Sequence, residues 1–240
     1  MADDLAAAMA EHGIELPDEQ VAQLERYCGL LWDWNSRLNL TRHTDYPRFV
    51  ARDLVDSLAF AEFLQSGERI LDVGTGGGVP GVVLAIVRPD LDVALAESVA
   101  KRARAVADIV ERLGLDVPVH ATRAEDLLGR WRCNTLVVRA VAGLAKLLRW
   151  LRPQWESFDR LLVVKGPAWI EERGEARHAG LLRNMALRKL KSYPLPGTDS
   201  ESVVLQICPK ERMLDARRCR ITAIGKKPQG RRGGHRKRGT

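Results

Sequence analysis

Apolar residues at the start of the chain recur every three or four positions, Leu5 and Met9 within residues 3–12, then Val21, Leu24, Tyr27, Cys28, Leu31 and Trp32 within 18–34. That spacing predicts two amphipathic helices, the second with Asp18 as a candidate cap. The stretch from Trp34 to Thr41 breaks the pattern, and a further helix is predicted from about Pro47 to Leu64. Beyond Gly67 the period changes. Short apolar runs at 69–73, 92–96, 117–121, 135–139 and 160–164 read as strands and alternate with helical stretches at 80–87, 99–113, 141–151 and 169–184. Such alternation is the mark of a parallel sheet with crossover helices. Two last apolar segments, 187–193 and 202–208, flank Pro194-Leu195-Pro196-Gly197 and predict an antiparallel hairpin. The chain thus divides into a helical segment at 1–66, an α/β domain at 67–210 and a tail at 211–240.

The first of these strands runs into a glycine-dense turn, Leu71-Asp72-Val73-Gly74-Thr75-Gly76-Gly77-Gly78-Val79-Pro80-Gly81. Gly74, Gly76 and Gly78 let the backbone take positive φ and approach a ligand closely, with the following amides expected to be free to donate, and Pro80 suits a first helical turn. From Gly76 to Gly81 the stretch also satisfies G-x-G-x-x-G, which alone does not separate a dinucleotide site from other nucleotide sites. Glu97 ends the second strand 23 residues after Gly74, where an acid can accept both hydroxyls of a ribose. Asp72, just before the glycines, offsets an ammonium or sulfonium charge but repels a pyrophosphate, which favours S-adenosyl-L-methionine.

Charge is unevenly distributed. Residues 216–240 hold ten Lys or Arg and no acid, leaving 28 bases against 31 acids in residues 1–215. The tail's composition predicts disorder, and either a solvated extension or an RNA-binding arm. The four cysteines and five histidines are scattered, which indicates neither a disulfide framework nor a metal site. No signal peptide and no apolar run of about 18 residues is visible, so a soluble cytoplasmic protein is expected.

Ligands of open α/β sheets bind beyond the carboxyl ends of the strands. At those ends stand Lys101 and Arg102 after the second strand, Arg123, Glu125 and Asp126 after the third, Arg139 at the fourth and Lys165 at the fifth. Five bases are thus expected on one rim, drawing a polyanion toward the cofactor. Glu125 and Asp126 can instead reach an adenine amino group or cap the next helix.

With these residues in order, the sequence resembles the RsmG, or glucose-inhibited division protein B, family from about Trp34 to Ile207. The similarity rests on Asn39-Leu40-Thr41, Arg52-Asp53-Leu54-Val55-Asp56-Ser57, the glycine turn, Lys101-Arg102, Arg123-Ala124-Glu125, Val138-Arg139-Ala140 and Val164-Lys165-Gly166. The resemblance implies a Rossmann-like class I methyltransferase fold, a mostly parallel seven-stranded sheet with a C-terminal antiparallel hairpin. It also implies methylation of guanine N7 in 16S ribosomal RNA, as naked RNA or small-subunit particle. The family's cofactor contacts fall on Gly74, Val79, Ala124, Glu125 and Arg139, beside Asp72, Gly76, Gly78 and Glu97 from the residues themselves. Its basic RNA rim falls on Lys101, Arg102, Arg123, Arg139 and Lys165. Three positions depart from the family: Asp53 stands for the usual His, Glu97 for the usual Asp, and Gly77 for Ala or Pro, which should loosen the turn. Guanine N7 attacks through an exposed lone pair, so no general base and no catalytic residue is assigned. The competing readings are a small-molecule methyltransferase, a nicotinamide-dependent oxidoreductase and a non-catalytic RNA-binding assembly factor.

Overall fold

The computed structural model describes residues 4–194 and 199–212. The turn at Leu195–Gly197, Cys219, His235 and the basic stretch from 216 onward, all singled out above, lie outside the described residues.

Four helical pieces come first: α1 (Leu5–Ala10), α2 (Asp18–Asn35), α3 (Tyr46–Arg48) and α4 (Val55–Ala61), the last two joined by a π-helical turn at Phe49–Leu54. Asp18 does not cap α2; Pro17 occupies that position and Asp18 is the first helical residue. The α/β part then runs β1 (Arg69–Val73), α5 (Gly81–Val87), β2 (Asp92–Ala96), α6 (Ala100–Leu113), β3 (Val119–His120), α7 (Ala124–Leu128), β4 (Thr135–Arg139), α8 (Leu144–Leu151), β5 (Arg160–Lys165), α9 (Trp169–His178), β6 (Met185–Pro194) and β7 (Glu201–Pro209). The sheet order is β3-β2-β1-β4-β5-β7-β6, parallel except for β7, which runs antiparallel to both β5 and β6. A mostly parallel seven-stranded sheet with a C-terminal antiparallel hairpin is the arrangement expected from the sequence.

Differences at element ends have local causes. β3 shrinks to two residues because Pro118 has no N–H for the ladder and the Thr122 amide turns back onto the His120 carbonyl. α9 stops at His178 rather than 184, closed by Gly180 at φ 68 and a bond from the Leu181 amide to the Ala176 carbonyl. α8 starts at Leu144 rather than 141, since Ala140 takes φ 53 and ends the strand in a turn. Pro80 stands just ahead of α5, not in its first turn, after a cis peptide bond.

Alternation along the strands sends successive side chains to opposite faces, giving two cores. Ile70, Val93, Leu95, Val137 and Leu162 face one core, which also takes Leu5, Met9, Leu24, Tyr27, Leu31 and Phe60 from the helical segment and Val82, Val106 and Ile109 from α5 and α6. Leu71, Ala94, Leu136, Val138 and Leu161 face the other, against α7, α8 and α9. Residues 4–66 are therefore a layer of the fold, packed on the same core as the crossover helices. Asp72 shares the face of Ile70 and so lies beneath the start of α5.

A carboxylate-anchored glycine turn and its rim

Asp72 is buried, and its Oδ2 accepts from the Thr75 hydroxyl at 2.5 Å and from the Gly81 amide at 2.9 Å. A Cβ on Gly81 would lie 2.8 Å from that same oxygen and overlap Leu95, so glycine is required for the carboxylate to reach the helix start. Asp72 Oδ1 is also buried and has no hydrogen-bond partner among the described residues. Burial pushes this carboxyl up to about 6, against the pull of the Thr75 and Gly81 bonds and the Arg139 charge.

The turn's amides are largely consumed within the protein, contrary to the expectation of free donors. Gly74 and Thr75 donate to the Ala96 carbonyl, Gly78 and Val79 to the Thr75 carbonyl, and Gly76 to Glu97 Oε2 at 3.0 Å. The anion site at the start of α5 is thus already filled by the Asp72 carboxylate, which argues against a pyrophosphate ligand. A buried carboxylate with one oxygen unpartnered suits a cationic group instead. Gly76, at φ 59, has open space where a Cβ would project and is the turn's point of close approach.

Glu97 is buried at the end of β2 and spends both oxygens on backbone amides, Oε2 on Gly76 and Oε1 on Val99 at 2.8 Å. Each oxygen keeps a lone pair, but the residue's visible work is to tie the turn to the loop before α6. Beyond the strand ends lies an open cleft of about 210 Å³, lined by Val73, Gly74, Ala96, Ser98, Thr122, Arg123, Ala124, Glu125, Val141 and Trp150. Its mostly apolar walls with Glu125 as acceptor suit an adenine. Val79 and Gly78 sit behind the turn, where Gly78 is closely covered by Val82 and by Tyr27.

The helical segment braces the turn from that side. The Tyr27 hydroxyl donates to the Gly77 carbonyl at 3.0 Å, and a Cβ on Gly77 would sit 2.8 Å from Leu31. A side chain at 77 would therefore crowd the Leu31 methyl, and the turn is held on this side by the Tyr27 bond.

The five expected bases fall into two groups. Lys101 and Arg102 are exposed in the first turn of α6, and Arg123, its side chain 69 % exposed, stands at the cleft lip 3.7 Å from Glu125. Arg139 and Lys165 are different. The Arg139 guanidinium turns under α4, 2.6 Å from Asp53 and 3.2 Å from Asp56, while Lys165 Nζ sits 2.7 Å from Glu172 and donates to the Ala142 carbonyl at 2.6 Å. The two carboxylates outweigh the cost of burying Arg139 and hold its charge, so these two cations are neutralised and not displayed on the rim.

Asp53, the departure from the family pattern, is thus a fully buried counterion whose Oδ1 meets both the Arg139 guanidinium and, at 2.9 Å, His43 Nδ1, while its Oδ2 has no hydrogen-bond partner among the described residues. Asp56 continues the network, accepting from the Tyr193 hydroxyl at 2.7 Å. Arg139 reaches the cleft through its backbone, which leads into Ala140 at φ 53 and then Val141, whose side chain presses on Gly74. Positive φ at a non-glycine residue beside a cleft is the kind of local strain that clusters at functional sites. Thr75, Ser98, Thr122, Val141 and Trp150 were not singled out from the sequence; only Thr75 lay inside a motif that pointed to them. Among the described residues no group of three His, Cys, Asp or Glu is placed to hold a metal, and no helix is long and apolar enough to cross a membrane.

Comparison with known proteins bears on the same residues. A likeness to a crystal structure of a variant of MtNAS in complex with S-adenosylmethionine has a TM-score of 0.51 at 21% identity, covering 78% of this chain and 72% of that one. One to M. capricolum TrmK with S-adenosyl-homocysteine has a TM-score of 0.52 at 11% identity, covering 65% and 68%. These support the fold alone. A protein of Rhodopirellula baltica named ribosomal RNA small subunit methyltransferase G is 46% identical over 227 residues, 95% of this chain and 98% of that relative. One of Clostridium novyi with the same name is 32% identical over 204 residues, 82% and 84% of the two chains. The family model described as GidB, rRNA small subunit methyltransferase G, matches residues 20–195, which include both the braced turn and the Arg139 network. The chain belongs to the rRNA small subunit methyltransferase G family.

Proposed function

We infer that this protein transfers a methyl group from S-adenosyl-L-methionine to N7 of one guanine in 16S ribosomal RNA. The observation that carries the cofactor is the Asp72 carboxylate, which fills the anion site at the start of α5 and keeps one buried oxygen unpartnered. Family membership supports the acceptor. When bound, the cofactor supplies an electrophilic methyl on a sulfonium. Around it, Gly76 would give close backbone approach, Glu97 would fix the turn through the Gly76 and Val99 amides with a lone pair on each oxygen left for a ribose, and Ala124, Glu125, Val141 and Trp150 would wall an adenine site.

Guanine N7 needs no deprotonation, so the protein's task is to hold acceptor and donor in line. We assign phosphate contact to Lys101, Arg102 and Arg123, and a supporting role to Arg139 and Lys165, whose charges are spent inside the fold. An open rim rather than an enclosed acceptor pocket favours a macromolecular substrate over a small molecule. The site of action is the cytoplasm, where small subunits assemble. Nucleoside analysis of small-subunit rRNA from cells lacking this chain tests the reading: 7-methylguanosine is lost at one position and restored by re-expression. An unchanged modification profile overturns it.

A further inference from the structure

Two adjoining depressions of about 500 and 610 Å³ lie away from the cofactor cleft, where α9 ends and β6 begins. Six basic residues line them: Arg152, Arg173, Arg177, His178, Arg183 and Lys210. No carboxylate is among the lining residues. Of the acids on these elements, Glu172 and Glu156 are occupied by Lys165 and Arg212, and Glu171, Glu175 and Glu211 line neither depression. Among the described residues Arg152, Arg173, Arg177 and Arg183 form no ion pair, and Arg173 lies over the Trp169 ring instead, 5.2 Å from its centroid. Uncompensated cations lining a concavity repel one another, and the arrangement is relieved by an anion with several charges.

Sheet register gives the distance. Met185 pairs with Pro209 and Leu187 with Ile207, which is level with Leu161 at the start of β5, whereas the cofactor cleft lies past the end of β1. Four strand spacings across and about five residues along the sheet put the depressions roughly 25 Å from the cleft. They cannot touch the nucleotide being methylated. A membrane surface fits poorly, because the two exposed large apolar residues among those described, Val99 and Ile170, do not line the depressions. The chain also passes from Lys210 toward the stretch at 216–240 with its ten Lys or Arg, continuing the same sign of charge.

We propose that this cleft is a second RNA-binding surface, gripping the phosphate backbone of the ribosomal RNA substrate at a distance from the modified base. The proposal rests on the rRNA methyltransferase reading and adds where the substrate is anchored. Its test is a salt titration of binding to deproteinised small-subunit rRNA by the full chain and by Arg177→Ala/Arg183→Ala, with S-adenosylmethionine affinity and thermal midpoint as controls of folding. Loss of two phosphate contacts lowers the slope of log K against log salt by about 1.4 to 1.8 and weakens binding roughly tenfold, with cofactor affinity unchanged. Arg177→Lys/Arg183→Lys restores both. An unchanged slope and affinity overturn the proposal, as does a variant that loses binding to phosphatidylglycerol vesicles while keeping its affinity for RNA. If the wild-type chain binds rRNA through these arginines yet never methylates it, the enzymatic reading fails while the binding surface stands.

Discussion

Asp72→Asn separates two roles of one carboxylate. Asp72 has its pKa raised from 3.8 to about 6 by burial, and a carboxyl raised in the folded state destabilises wherever it is ionised. The penalty is absent below the unfolded value, grows as pH rises through the folded value, and is complete above it, where it amounts to about 3 kcal/mol. Asparagine keeps an acceptor for Thr75 and Gly81 but places an amide where Oδ1 now lacks a partner, which gives back about 1–3 kcal/mol. The variant without cofactor is therefore expected to gain about 1 kcal/mol at pH 7, or roughly 2–4 °C in midpoint. The wild-type chain is expected to gain about 1 kcal/mol between pH 7 and pH 5 from this group, and the variant to lose that dependence. Affinity for S-adenosylmethionine is expected to fall roughly tenfold, because the negative charge buried beneath the turn no longer offsets the cofactor's cationic groups. Thermal denaturation at the two pH values and calorimetric titration read both effects. A variant that is markedly less stable than wild type at pH 7 yet binds cofactor equally well refutes the reasoning.

Gly76→Ala and Gly81→Ala should differ in kind. The first meets open space at φ 59, costs about 1 kcal/mol of stability, and shows its main effect as lost cofactor affinity in titration. The second drives a methyl into Leu95 and Asp72, and is expected to lower the midpoint severely before binding is considered. Arg139→Met takes from Asp53 and Asp56 the cation they share, leaving them only His43 and the Tyr193 hydroxyl as partners, and should cost about 3–5 kcal/mol in denaturant unfolding, far more than the loss of an RNA contact alone would. Deleting residues 216–240 should weaken rRNA binding and flatten its salt dependence; identical titrations with and without them would remove any RNA role from the tail.

The sheet was legible because its central strands are apolar on both faces and separated by helical periods, so the parallel strands and the closing hairpin followed from pattern and turn residues, whereas the strand order did not. Ends were less so: a left-handed glycine at 180 and a proline at 118 act through hydrogen bonds that periodicity does not register. That Asp72 and Glu97 stand at strand ends beside the glycine turn was legible from position, and the structure bonds both to the turn's backbone. The state of the basic residues could not. Arg139 and Lys165 look the same as Lys101 and Arg102 in sequence, and only the long-range partners Asp53, Asp56 and Glu172 show which charges are spent. Nor does the sequence show that Leu31, 46 residues earlier, packs against Gly77. Thr122, Val141 and Trp150 carry no mark of function beyond the place the fold gives them.

The measurement that bears most directly on the account is transfer of a labelled methyl from S-adenosylmethionine to purified small-subunit particles and to deproteinised small-subunit rRNA, with nucleoside analysis and mapping of the modified position. Label is expected as 7-methylguanosine at one site, in a reaction that Lys101→Glu/Arg102→Glu impairs through KM for RNA. Cofactor binding without label in either RNA would contradict the account.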